Sequence, residues 1–381
     1  MAPDASPQTI TPASEEDLAR VLADADRRGL KVAPRGGGTK SEWGHPAQRI
    51  DLVLSTPGLT RVLEHAAGDM TVTVEAGCTI AALQQHVALR GQRLALDPLW
   101  PGRATVGGVL ATNDSGPLRH AFGTARDLLL GVTVALPDGT LARAGGKVVK
   151  NVAGYDLPKL MVGAYGTLGV ITRATFRLHP LPRATRTFSF NVPWDGLAGF
   201  VYALRALPLA MTGLQVMAAR RMHAGLRVWV EGSPEGVDAA AAGIDAVADT
   251  HGARPHVPPK GTTSEREAQW LSPGPLAKVT FPPATVAALC GAVLSAGGVL
   301  VAEAAGEGMA VFPDADGETV PKLARFVGAL GGSLVLLRGE PGLKWTVNSA
   351  AMGDALPLMR RIKQQFDPKQ TLNPGVMPGG V

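Results

Sequence analysis

Apolar and polar positions along the chain fall into a recognisable succession of elements. Leu18, Val21, Leu22 and Ala25 recur at helical spacing behind Ser14-Glu15-Glu16-Asp17. A hydroxyl cap followed by acids in the first turn predicts a helix start, and Gly29 ends that helix. Residues 30–33 and 50–54 read as strands, and 71–75 alternates with period two before the turn Ala76-Gly77. An amphipathic helix is predicted over 79–90, closed by Gly91, and further strands over 130–136 and 170–178. After His179-Pro180-Leu181-Pro182-Arg183 the texture changes. Strands at 187–192, 226–231, 299–302 and 333–337 are interleaved with helices at 237–248, 285–294 and 320–330. That succession predicts an α+β layer with helices on one face of a mostly antiparallel sheet. A short basic helix at 358–365 precedes the tail, and the expected division is 1–183, 184–350 and 351–381.

Composition narrows what these elements serve. The chain has 381 residues, too many for one ordinary core. With 45% hydrophobic and 18% charged residues, burial is easy and intrinsic disorder is not expected. The 47 glycines have no three-residue period, so they serve turns and close backbone approaches. Cys78 and Cys290 are the only cysteines, too few for the usual iron–sulfur ligation and without zinc-site spacing, so redox chemistry would need an organic cofactor. The net charge of +5 is scattered, without a run of five like charges, which points to a solvated surface and away from a nucleic-acid groove. Residues 1–14 lack the apolar core of a signal peptide, and the longest apolar stretch is far short of the roughly 20 residues that span a bilayer. The expectation is a cytoplasmic chain without a direct membrane span, attached to the inner membrane, if at all, through partners.

Three clusters hold the informative glycine. Arg35-Gly36-Gly37-Gly38-Thr39-Lys40-Ser41 follows a strand and exposes several backbone N–H groups, a concavity suited to phosphate. It matches neither the P-loop nor the GxGxxG spacing, and taken alone such a run is also a plain turn. In the second cluster, Thr105 caps a short helix whose first turn carries Gly107 and Gly108; Thr112, Asn113 and Ser115 then offer side-chain donors. The third, Gly163-Ala164-Tyr165-Gly166-Thr167-Leu168-Gly169-Val170-Ile171-Thr172, opens a strand.

The order Pro-Arg-Gly-Gly-Gly-Thr, Val-Gly-Gly-Val-Leu-Ala-Thr-Asn with Ser-Gly, Gly-Tyr-Asp-Leu, then Gly-Thr-Leu-Gly-Val-Ile-Thr resembles the FAD-binding domain of the vanillyl-alcohol oxidase (PCMH-type) flavoproteins. Residues 145–171 are most similar to the FAD-binding E subunits of bacterial glycolate oxidases, and Phe366-Asp367-Pro368 with Leu372-Asn373-Pro374-Gly375 is similar to the tail that closes family members. The resemblance implies a two-lobed α+β FAD-binding domain plus a smaller α+β FAD-linked oxidase cap. It implies that Pro34, Arg35, Gly36, Gly37, Gly38 and Thr39 carry the pyrophosphate. Pro98, Thr105, Gly107, Gly108, Thr112, Asn113, Ser115, Gly116 and Arg119 would line flavin and diphosphate, and Gly166, Thr167, Gly169, Val170 and Ile171 would meet the cofactor through backbone. Some relatives tether flavin through a histidine in the first loop; Gly36–Gly38 offer none and His45 lies beyond it, so non-covalent FAD is expected.

No histidine follows His256, whereas catalytic subunits of this family carry a histidine-rich cap motif that supplies metal ligands and a base. The remaining catalytic candidates are His120 as a proton carrier, Lys150 beside the flavin segments, and Arg338, which with Lys344 and Trp345 would make a carboxylate-binding mouth. Glu303 or Glu307 would be an alternative base, though strand-end acids are usually surface residues. No metal site is expected. The first expectation is a FAD-binding subunit of a glycolate oxidase-type complex, partnered by a catalytic FAD subunit and an iron–sulfur subunit. The alternatives are a stand-alone 2-hydroxyacid dehydrogenase and a non-catalytic FAD-fold scaffold.

Overall fold

The computed structural model describes residues 6–147, 156–219, 222–257 and 265–381. It forms two compact units, one of Met1–Ser115, Gly123–Leu181 and Met352–Val381, the other of Gly116–Phe122 and Pro182–Ala351. Gly116–Phe122 therefore belongs with the second unit, although its place in the sequence suggests the first.

Among the described residues the first unit carries three sheets, the smallest an antiparallel pair of Gln92–Arg93 with His179–Pro180. Gln8–Ile10, Leu52–Ser55 and Val32–Arg35 pair in parallel in that order. A five-stranded antiparallel sheet runs Val62–Ala66, Thr71–Glu75, Val170–Arg177, Leu129–Ala135, Leu141–Gly145. Alternation decides the faces. Val72 and Val74 enter the core, while Thr73 on the opposite face meets Thr175, hydroxyl to hydroxyl, at 2.9 Å. The helix Glu15–Arg27 starts where predicted, Ser14 Oγ accepting from Asp17 N–H at 3.1 Å. The tail adds a further strand-like contact: Val32 N–H donates to the Thr371 carbonyl at 2.7 Å, and Asn373 N–H to that of Val32 at 2.9 Å.

In the second unit an eight-stranded antiparallel sheet runs Arg254–Pro255, Ala184–Val192, Ala224–Gly232, Met211–Ala218, Val299–Glu303, Glu307–Val311, Leu276–Thr280, Ser333–Arg338. The helices Trp194–Ala206, Pro234–Thr250, Val286–Ser295 and Thr319–Ala329 send Phe200, Ile244, Leu289 and Val327 into one core with Leu214, Val216, Val228 and Leu300 of the sheet. This is the expected layer of helices on one sheet face. Gly116–Phe122 packs against Met211–Ala218, where a Cβ on Gly213 would stand 3.0 Å from Pro117 Cβ.

Candidate FAD-binding site

The strand Val32–Arg35 delivers the first glycine loop into a cavity of about 290 Å³. Residues from all three glycine clusters line it, among them Pro34, Arg35, Gly36, Gly37, Gly38, Thr39, Thr105, Gly108 and Thr112. A second cavity of about 70 Å³ shares Pro34, Arg35, Gly36, Gly108, Ala111 and Tyr165 with it and adds Gly107, Gly166, Gly169, Val170 and Ile171. The two form one extended trough. Among the described residues the N–H groups of Gly36, Gly37, Gly38 and Thr39 meet no acceptor. Arg35, Lys40 and His45 line the wall and no described carboxylate does. Four free donors in sequence beside the Arg35 guanidinium suit a diphosphate.

The three glycines stand there for different reasons. A Cβ on Gly36 would lie 2.1 Å from Thr105 Oγ1, and one on Gly37 1.8 Å from the Arg103 carbonyl oxygen. Gly38 has open space but a φ of +69°, in the region that disfavours side chains. Two glycines thus let the loop press against 103–105, and the third lets it turn.

The helix Val106–Thr112 behaves differently from the sequence expectation. Its first N–H groups are already engaged: Val106 with the Cys78 carbonyl at 2.9 Å, Gly107 with Ala76 at 2.8 Å, Gly108 with Thr105 Oγ1 at 3.3 Å. Thr112 donates its hydroxyl to the Gly108 carbonyl at 2.8 Å. The helix is a wall of the trough, with neither a free N-terminus nor a free Thr112 donor. Asn113 caps it in a left-handed conformation, φ +48°, and its Oδ1 is buried without a partner, as is Ser115 Oγ. Between them Asp114 accepts from Leu99 N–H at 2.9 Å and pairs with buried Lys40 at 3.2 Å. The free loop N–H groups and the cationic wall fit a flavin dinucleotide. Pro98 is buried next to Leu99 and, like Asn113 and Ser115, does not line the trough.

The far wall depends on the tail. Tyr165 adopts φ +54°, Gly166 follows at +67°, and Asn373 Nδ2 donates to the Tyr165 carbonyl at 2.7 Å. Lys363 Nζ donates to Thr167 O at 2.7 Å, Asp367 Oδ2 at 2.6 Å and Leu372 O at 2.8 Å. Asp367 also accepts from Thr371 and Leu372 N–H, which explains the Phe-Asp-Pro and Leu-Asn-Pro-Gly tail as a buried ionic clasp. Thr167 turns away from the trough: its hydroxyl donates to Ala164 O, and it lines a separate, mainly apolar cavity. Lys40, Trp43, His45, Tyr165, Asn373 and Val376 line the trough but were not singled out from the sequence as binding residues. The tail motif was the available signal for the last two.

The second unit corrects the catalytic candidates. Arg338 directs its guanidinium to the carbonyls of Trp270, Ser272 and Gly274, so it closes the end of the helix Glu265–Leu271 and makes no carboxylate mouth. Lys344 is buried with Nζ on the Leu337 carbonyl at 2.9 Å. Glu303 and Glu307, expected at the surface, face each other as a cross-strand pair, Glu303 buried and Glu307 largely so. Glu303 accepts from Gln215 Nε2 at 2.8 Å, and Glu307 is held between Arg119 and Lys278. Burial pushes the Glu307 carboxyl up, but the two cations outweigh it and hold it below its usual range. Gly116 and Arg119 thus belong to the second unit. His120 sits beside Arg119 with Nδ1 buried and unpartnered; burial, then Arg205, lowers its pKa. Lys150 lies outside the described residues. Burial pushes the Cys290 thiol up to about 12 and also raises that of Cys78, as inert thiols require.

Residues 7–145 match the family model described as FAD binding domain, and 345–377 the one described as FAD linked oxidases, C-terminal domain. The chain is 35% identical over 224 residues to a D-lactate dehydrogenase of Archaeoglobus fulgidus, covering 58% of this chain and 49% of that protein. It is 34% identical over 207 residues to the mitochondrial cytochrome D-lactate dehydrogenase of Arabidopsis thaliana, covering 54% and 35%. With glycolate oxidase subunit GlcD of Bacillus subtilis it shares 33% identity over 191 residues, covering 48% and 41%. The alignments thus span less than half of each of these relatives. A solved alkyldihydroxyacetonephosphate synthase superposes with a TM-score of 0.72 at 18% identity, covering 96% of this chain and 76% of that one, which speaks for the fold.

Fold and trough together define a FAD-binding flavoprotein domain in the first unit. Residues 7–145 are thus a PCMH-type FAD-binding domain with FAD as its cofactor, and 345–377 carry the C-terminal segment of FAD-linked oxidases.

Proposed function

We propose that the chain is the FAD-binding subunit of a glycolate oxidase-type complex, carrying FAD non-covalently. In this reading a catalytic flavoprotein subunit oxidises the 2-hydroxyacid and an iron–sulfur subunit passes electrons onward. Bound FAD supplies the capacity to take up two electrons and release them singly. This chain's residues hold the dinucleotide: the first loop by its free N–H groups, Arg35 by charge, and the tail by closing the far wall. The observation that carries the subunit reading is the state of the cap cations. Arg338 and Lys344 are turned onto backbone carbonyls, so the carboxylate mouth that a self-sufficient 2-hydroxyacid dehydrogenase needs is not formed there. The sequence adds the absence of histidine beyond His256.

The reading is tested by anaerobic addition of glycolate or D-lactate to the purified flavin-loaded chain. The flavin band is expected to persist until the partner subunits are added. Rapid bleaching by the isolated chain would instead establish the stand-alone dehydrogenase, which the names of the D-lactate dehydrogenase relatives favour.

A further inference from the structure

The sheet of the second unit carries the helices Trp194–Ala206, Pro234–Thr250, Val286–Ser295 and Thr319–Ala329 on one face. On the other, the hairpin Val299–Glu303/Glu307–Val311 sets Glu303 and Glu307 opposite each other, with Thr280 of the next strand paired to Glu307. Lys278 is therefore a diagonal neighbour of Glu307 on the same face, and its Nζ reaches Glu307 Oε2 at 2.8 Å. From Gly116–Phe122, Arg119 brings Nη1 to Glu307 Oε1 at 2.5 Å. Each carboxylate oxygen thus faces one cation, and the side chains are only 17%, 21% and 12% exposed for Arg119, Lys278 and Glu307. The arginine contact is short but poorly aligned, for Arg119 Nη1 makes no directed hydrogen bond. Around it lie further buried polar atoms without a partner: Gln215 Oε1 in the adjoining strand and His120 Nδ1 next to Arg119.

Two cations fixed on separate elements, converging on one carboxylate, are how a protein grips a small carboxylate ligand. Here the carboxylate is tethered. It is presented at an effective concentration that a free acid at millimolar levels does not match. We propose that Glu307 fills, from within the chain, a two-cation carboxylate site made by Arg119 and Lys278, so that the second unit holds a binding site for a small carboxylate whose occupant is its own side chain. The site is distinct from the mouth suggested by Arg338 and Lys344. It deepens the subunit reading, on which its functional meaning rests: a cap whose carboxylate site is self-filled does not collect a hydroxyacid.

The experiment is carboxylate rescue of Glu307→Ala, read by thermal unfolding with acetate, pyruvate or the neutral acetamide at constant ionic strength set with sodium chloride. None of these probes reduces a flavin. The variant is expected to melt below the wild type. Acetate and pyruvate should restore several degrees as they approach roughly 100 times their Kd, and acetamide and chloride should restore none. Adding Arg119→Met should abolish the rescue. The wild type should show no carboxylate-specific rise. A folded Glu307→Ala that acetate and pyruvate do not stabilise overturns the proposal, as does rescue that persists without Arg119. Should Glu307→Ala not fold, the wild-type titration still decides: a carboxylate-specific rise there shows that the site is not self-filled. Flavin bleaching by glycolate is a separate outcome, so the subunit reading can fail while self-filling stands, and the reverse.

Discussion

At the scale of single residues, Gly37 and Gly38 separate two demands that look identical in sequence. Gly37→Ala would drive its Cβ into the Arg103 carbonyl, which cannot yield without moving the wall at 103–105. That overpacking should weaken FAD roughly tenfold or more, measured by flavin fluorescence titration. Gly38→Ala meets only Ser41 Oγ at 3.8 Å and bears backbone strain alone, so it should cost about 1 kcal/mol of stability and largely keep flavin. Equal loss of FAD in both would mean that the loop's contact with 103–105 does not set the donors. The loop itself was legible because glycine is conspicuous. Arg338 was misread because a basic residue at a strand end carries no mark of its partners; only folding reveals the carbonyls of 270, 272 and 274. Arg338→Gln should lower stability by about 1.5–3 kcal/mol in urea denaturation and leave flavin content unchanged. Loss of flavin with intact stability would return Arg338 to the list of cofactor or substrate residues.

At the scale of elements, periodicity succeeded where one face is wet and failed where both are covered. Thr71–Glu75 alternates and was found at its bounds. Met211–Ala218 was missed: from Thr212 to Val216 every residue is buried, so glycine, leucine and glutamine follow one another without a period. That strand is also the one Gly116–Phe122 packs against, and Arg119 from that segment reaches Glu307 of the hairpin, which reads as surface in the sequence. The hairpin has a pH signature. The Glu307 pKa lies below its ordinary 4.5 in the folded state, so the folded protein binds that proton less well than the unfolded chain does. Its contribution is complete above the unfolded value and is lost as pH falls through the lowered folded value. Glu307→Gln should therefore be clearly less stable than wild type at neutral pH, and the gap should narrow on acidification below 4.5 in paired urea melts. A gap independent of pH would show that the ion cluster contributes shape and no charge.

For the whole molecule, chain order and spatial order part twice. Residues 116–122 leave the first unit for the second, and the chain returns to the first at Met352. Linear motifs located both glycine walls of the trough, yet the second wall is completed by residues some 200 positions away, as the Lys363 bond to Thr167 and the Asn373 bond to Tyr165 show. The clasp that places them is buried: Lys363 and Asp367 side chains are 6% and 0% exposed. Removing Lys363 leaves the Asp367 carboxylate buried without its counter-ion and the Thr167 and Leu372 carbonyls without their donor, a loss of about 3–5 kcal/mol. Lys363→Met should accordingly destabilise the first unit by that order and release FAD, although the lysine lines neither part of the trough. Deleting 367–381 should do the same by removing Asn373 and Val376 from the wall while leaving all three glycine clusters intact. Flavin content after gel filtration decides between a wall and a mere terminus. If the truncated chain keeps stoichiometric FAD with wild-type affinity, the glycine loops suffice by themselves. If FAD is lost but Asn373→Ala alone retains it, the clasp acts by holding the backbone of 371–376 against Val32, and the Asn373 side chain is secondary to that contact.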